Sequence, residues 1–162
     1  MKKILLILLI ILPVYFSLAI YFLDKEYFLC PIKYTSDILV RSDSRGKGYF
    51  ASPRNGNRFH EGIDLFAPIG SPVFAARCGR VVRVGSNKGM GNYVIVRHGA
   101  NLSTLYGHLL KINVGCGEFI RQGDLVGQVG KTGNANFSDI QPHLHFEVRN
   151  GGIPEDPLEF LR

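Results

Sequence analysis

The sequence predicts an all-β domain behind one apolar N-terminal segment of membrane-spanning length. Three observations carry this reading. Short runs rich in Val, Ile, Phe and Tyr recur from about residue 59 onward. Turn residues, chiefly Gly, Asn and Pro, bound most of them, and 19 of the 162 residues are glycine. Only Pro157 to Leu161 reads as a short helical turn. Regular short strands joined by Gly-rich turns indicate a sandwich or barrel.

In chain order, residues 1–23 come first. Lys2 and Lys3 precede the apolar run Ile4 to Leu12, and after Pro13 a second run extends from Val14 to Leu23. Positions 4 to 23 are 20 residues, about enough to cross a bilayer as a helix, with the lysines held in the cytoplasm. The rival reading is a signal peptide cleaved after Ser17-Leu18-Ala19. Continuation of the run past Ala19 favours an uncleaved anchor. Either way the remainder is exported to the cell envelope. Residues 24–40 are expected to form a short stalk, and residues 41–162 the domain. Loop signatures occur at Arg41 to Gly48 and Pro53 to Asn57. Strands are expected at 63–66, 72–76, 80–85, 92–98, 102–107, 118–121, 124–129 and 143–149, where β-branched and aromatic residues concentrate.

Removing residues 1–23 takes away two lysines and leaves 17 basic against 13 acidic groups. That modest excess suits an anionic wall or membrane surface. Nucleic acid is not an expected partner, because the basic residues are scattered singly without an aromatic platform. Of the three cysteines, Cys78 and Cys116 lie in Gly-flanked turns and are the expected pair if any disulfide forms in an oxidising compartment. The alternative is that both are simply small buried apolar residues. No cysteine pair has zinc-site spacing.

The chemistry concentrates on histidines. In His143-Leu144-His145-Phe146-Glu147, strand alternation sends both imidazoles to one face and Leu144 and Phe146 to the other. In His60-Glu61-Gly62-Ile63-Asp64, Gly62 and Ile63 argue for a turn entering a strand, with Gly62 letting the backbone bend. One imidazole and one carboxylate from here, plus a ligand from the late strand, give the three-ligand open site of a catalytic zinc, with water in the fourth position. His108, in Tyr106-Gly107-His108-Leu109, is weak evidence by itself.

Together these three motifs resemble those of the LytM/lysostaphin-type zinc endopeptidases. Pro72 to Ala76, Gly79 to Val82, Gly91 to Val96, Gly123 to Gly127 and Gly130 to Gly133 are also similar to family segments. The resemblance spans residues 41 to 161 and implies a duplicated-hybrid-motif β fold that cleaves peptidoglycan peptides, either stem crosslinks or glycine bridges. It implies that His60, Asp64 and His145 ligate Zn2+, while His108 and His143 are catalytic. It makes His98 a structural histidine. Glu147 is expected to pair behind the site or to orient a ligand. Two departures stand out: Cys78 replaces a common acidic residue, and the stretch Asn134 to Gln141 is longer than in many relatives and is expected to form cleft wall. The alternative function is an inactive wall-binding module, or an activator of another wall hydrolase.

Overall fold

The computed structural model describes Pro13, residues 27–54 and residues 56–162. The expected anchor, residues 1–23, lies outside the described residues apart from Pro13. Among the described residues no helix is long and apolar enough to cross a membrane.

The architecture is all β, as expected. Two small hairpins come first: β1 (Ser42–Asp43) with β2 (Gly46–Lys47), and β3 (Pro53–Arg54) with β4 (Arg58–Phe59). The main strands follow as β5 (Ile63–Phe66), β6 (Pro72–Phe74), β7 (Gly79–Asn87), β8 (Gly91–Arg97) and β9 (Leu102–Ile112). Then come β10 (Phe119–Ile120), β11 (Leu125–Val129), β12 (His143–Asn150) and β13 (Ile153–Glu155). Short 3-10 turns cover Gly133–Ala135 and Pro157–Glu159. All eight expected strands are present. The two hairpins and β13 carry too little apolar pattern to be read beforehand.

A nine-stranded antiparallel sheet runs β10-β7-β8-β9-β11-β6, and β12 joins it between β9 and β5. Alternation decides what each face holds. Leu144, Phe146 and Val148 of β12 enter a core with Ile63, Leu65, Val81, Val94, Val96 and Tyr106. His143, His145 and Glu147 take the opposite face. Strand β9 is longer than expected because it changes partners. Gly107 pairs with His145 of β12, whereas Leu109 pairs with Val129 of β11. The residue between them is His108, with φ of 59°. A left-handed residue inside a strand bends it and re-aims its side chain.

Gly62 forms the expected bend into β5, without a positive φ, and glycine is also required there because a Cβ would collide with the Phe146 carbonyl oxygen and sit 2.8 Å from Glu147 Cγ. Two expectations need correction. Residues 28–40 are no free stalk. Phe28 and Ile32 are buried in the core, and Phe28 N donates to the Phe160 carbonyl while its own carbonyl accepts from Arg162 N. Burying this ring against Phe160 and His98 removes apolar area that a stalk would leave wet. Finally, all three cysteines are free thiols: Cys78 is buried ahead of β7, whereas Cys116 is exposed in a turn and donates weakly to the Val82 carbonyl.

Candidate metal centre

Strand register assembles the site. Asp64 of β5 lies directly opposite His145 of β12, and Gly107 of β9 lies opposite His145 on the other side. His60 is held just ahead of β5, its backbone N donating to Ser52 and its carbonyl accepting from Ala51. Three donor atoms converge: His60 Nε2 and Asp64 Oδ1 are 3.1 Å apart, Asp64 Oδ1 and His145 Nδ1 2.9 Å, and His60 Nε2 and His145 Nδ1 3.0 Å. Ligand atoms about 2.0 Å from a tetrahedral zinc are separated by roughly 3.3 Å. The triangle is therefore close to what zinc requires, and all three residues are buried. Two imidazole nitrogens and one carboxylate oxygen are also the donor types zinc takes.

Each ring is oriented by its other nitrogen. His60 Nδ1–H donates to the Tyr49 carbonyl at 2.9 Å, leaving Nε2 as a lone pair. His145 Nε2–H donates to Glu147 Oε1 at 3.0 Å, so Nδ1 faces Asp64. Glu147 is fully buried and its Oε2 accepts from Arg149 Nε at 2.5 Å, while Arg149 Nη2 donates to the exposed Glu61. Such a carboxylate behind a ligating imidazole fixes its tautomer and raises its basicity. Of the two roles expected for Glu147, the hydrogen bond to His145 favours orientation of that ring. Glu61 points outward to Arg149 and takes no place among the converging atoms.

His108 and His143 complete the cluster. Their rings are edge to face with centroids 4.9 Å apart, and the His108 centroid is 5.8 Å from that of His145. His108 Nδ1–H donates to the Thr132 carbonyl at 2.9 Å, and His143 Nδ1–H donates to the Gln141 carbonyl at 2.6 Å. Carbonyls only accept, so both rings keep Nε2 unprotonated. His143 Nε2 lies 3.8 Å from Asp64 Oδ1. His98 is apart from the cluster, with Nδ1 and Nε2 bonded to the Cys78 carbonyl and the Thr104 hydroxyl.

Burial and neighbouring charge divide these groups. Burial, reinforced by the charges of His145 and His143, pushes His108 down to about 3. Burial also lowers His143. Both rings are therefore neutral at pH 7 and able to accept a proton. Burial opposes the charge on His145 too, but hydrogen bonds to Asp64 and Glu147 outweigh it and raise the group to about 9. Burial would raise Asp64, but hydrogen bonds from His145 and His60, with the charges of His145 and His143, outweigh it and hold the carboxyl well below the usual carboxylate range.

The matched region coincides with this geometry, since residues 58–157 match Peptidase family M23. The chain belongs to peptidase family M23. Among M23-type relatives it is 41% identical over 101 residues to the DD-carboxypeptidase/endopeptidase Mpg of Neisseria meningitidis, covering 62% of this chain and 22% of that protein. It is 40% identical over 98 residues to the peptidoglycan DD-endopeptidase ShyC of Vibrio cholerae, covering 60% and 22%. It is 38% identical over 115 residues to a lipoprotein NlpD/LppB homolog of Pseudomonas aeruginosa, covering 70% and 36%. The chain thus spans well under half the length of each of these relatives. A zinc-containing peptidase from Vibrio cholerae superposes with a TM-score of 0.69 at 29% identity, over 83% of this chain and 40% of that one. The catalytic domain of lysostaphin from Staphylococcus simulans does so with a TM-score of 0.61 at 32% identity, over 73% and 91%.

Sequence reasoning brought together His60, Asp64, His108, His143 and His145, and all five share this cluster. It missed Arg41 and Arg54, which approach Asp64 from the polar loops at the start of the domain, and the backbone carbonyls that set the tautomers. Nothing in a run such as Arg41 to Gly48 distinguishes a buried arginine from a solvated one.

Proposed function

We propose that this M23 chain is a zinc-dependent endopeptidase that hydrolyses peptide crosslinks of bacterial peptidoglycan. The observation that carries the proposal is the convergence of His60 Nε2, Asp64 Oδ1 and His145 Nδ1, flanked by two further imidazoles whose Nδ1 atoms are tied to carbonyls. His60, Asp64 and His145 would hold the metal. Bound there, zinc supplies Lewis acidity toward a carbonyl and lowers the pKa of water.

His108 and His143 are the catalytic pair in this reading. A neutral Nε2 accepts the proton of the attacking water. The imidazolium so formed donates to the leaving amine or to the developing oxyanion, while the Thr132 or Gln141 carbonyl still accepts from its Nδ1–H. Either histidine could serve as the base, since each keeps an unprotonated Nε2. The relatives named peptidoglycan DD-endopeptidases support wall crosslinks as the substrate class.

An inactive wall-binding module or an activator of another hydrolase is the alternative. A closed structural zinc site uses four protein ligands, and here the three convergent groups are flanked by two histidines oriented as proton acceptors. That arrangement favours the enzyme. The reading places the chain in the cell envelope, with residues 1–23 as the membrane anchor. The test is incubation with purified sacculi: uncrosslinked muropeptides should appear, chelator should stop their release, and added zinc should restore it. Sacculi left fully crosslinked across stem and glycine bridge types would contradict the proposal.

A further inference from the structure

We propose that Arg41 is a positioning residue that confines Asp64 to one metal-facing oxygen; the inference rests on the metal reading of the site. Arg41 is buried, and its guanidinium forks across two carboxylates. Nε and Nη2 donate to Asp64 Oδ2 at 3.2 and 2.9 Å, and Nη1 donates to Asp43 Oδ1 at 2.6 Å. Arg54 Nη2 lies 3.6 Å from the same Oδ2. The other oxygen, Oδ1, is the one that meets His60 and His145.

The backbone is arranged to keep that fork in place. Arg41 N donates to the Asp64 carbonyl at 2.9 Å, Asp64 N donates to the Gly48 carbonyl at 2.8 Å, and Gly48 N donates to the Arg41 carbonyl at 2.8 Å. Segment Arg41–Gly48, which contains hairpin β1–β2, therefore lies directly on Asp64. A Cβ at Gly48 would sit 2.7 Å from Asp64 Cβ. Asp43 extends the brace, since its Oδ2 accepts from Gln141 N at 3.0 Å and the Gln141 carbonyl orients His143. Arg41 and Asp43 both precede the stretch matched to the family, residues 58–157.

The chemistry follows from the two oxygens of a carboxylate. A charge-assisted fork on Oδ2 leaves Oδ1 as a single ligand, which gives three protein donors and one open position. With Oδ2 released, Asp64 can bind through both oxygens and fill the position the reaction needs.

The experiment uses the full chain in detergent. It measures zinc affinity by chelator competition and the visible spectrum of the cobalt-substituted protein, for wild type, Arg41→Ala, Arg41→Lys and Asp43→Asn. The wild type should show the intense bands of four-coordinate cobalt. Arg41→Ala should bind zinc about 10- to 100-fold more weakly and show the weaker bands of five-coordinate cobalt. Arg41→Lys, which keeps the charge but loses the fork, should show the same spectral change, and Asp43→Asn a smaller one. Folded Arg41 variants with unchanged affinity and spectrum would overturn the inference while leaving the metal reading intact. If Arg41→Ala does not fold, unchanged spectra for Arg41→Lys and Asp43→Asn overturn it, as does a weak five-coordinate spectrum from the wild type. A wild type that takes up no zinc removes the metal reading and this inference together.

Discussion

Glu147, fully buried on β12, accepts a hydrogen bond from Nε2 of His145 at 3.0 Å and thereby turns Nδ1 of that ring toward Asp64. The two residues are i and i+2 on one strand, so alternation alone puts them on the same face. The consequence is measurable. Glu147→Gln should weaken zinc binding by about 10- to 100-fold, read by chelator competition. The amide keeps the size but loses the charge that supports the imidazole. Unchanged affinity would mean that the carboxylate only packs.

His143 stands outside the triangle of converging atoms, its Nε2 3.8 Å from Asp64 Oδ1 and its Nδ1–H on the Gln141 carbonyl. His143→Ala should keep zinc and lose roughly 10²- to 10⁴-fold in turnover. Metal content and muropeptide cleavage, measured on the same sample, check this.

The raised His145 makes metal binding and stability depend on pH in opposite senses. In the metal-free protein this ring is protonated at pH 7, because its folded value is about 9. Zinc must displace that proton, so apparent zinc affinity should rise between pH 7 and 9, with about one proton released per zinc. The sign for stability follows from a folded value above the unfolded one. The contribution of His145 is complete below about pH 6.5 and is lost as pH rises through 9. Metal-free Tm should therefore fall across that window, as calorimetry can show. A flat zinc affinity over the same range would contradict the assignment of His145.

Phe28 belongs to the core although it precedes residue 41, where the domain was expected to begin. Its ring packs edge-on against Phe160 and His98, with centroids 5.5 and 5.6 Å away. Phe28→Ala should cost about 3–5 kcal/mol, measured by urea unfolding. A chain beginning at residue 31 should show a comparable loss.

Much of this was legible in the sequence, for identifiable reasons. β12 could be read because His143, His145 and Glu147 alternate with Leu144, Phe146 and Val148, a pattern only a two-faced strand produces. β8 was equally plain from its run Val94-Ile95-Val96, and β5 from its apolar residues Ile63, Leu65 and Phe66. What could not be read depends on partners distant in sequence. The hairpin Ser42–Lys47 has almost no apolar residues and exists because it lies on Asp64. The extension of β9 past His108 depends on β11 offering a new edge. The bend at Gly62 was legible, but the Phe146 carbonyl 84 positions on, which leaves no room for a Cβ there, was not.

The most direct test of the central claim is zinc content and crosslinked-muropeptide cleavage by the full chain, beside His145→Ala and His108→Ala. The account predicts about one zinc per chain and cleavage for the wild type. His145→Ala should lose both metal and cleavage, and His108→Ala should keep metal but not cleavage. A His145→Ala protein that still holds zinc, or a zinc-loaded wild type that cuts no wall peptide, would contradict it.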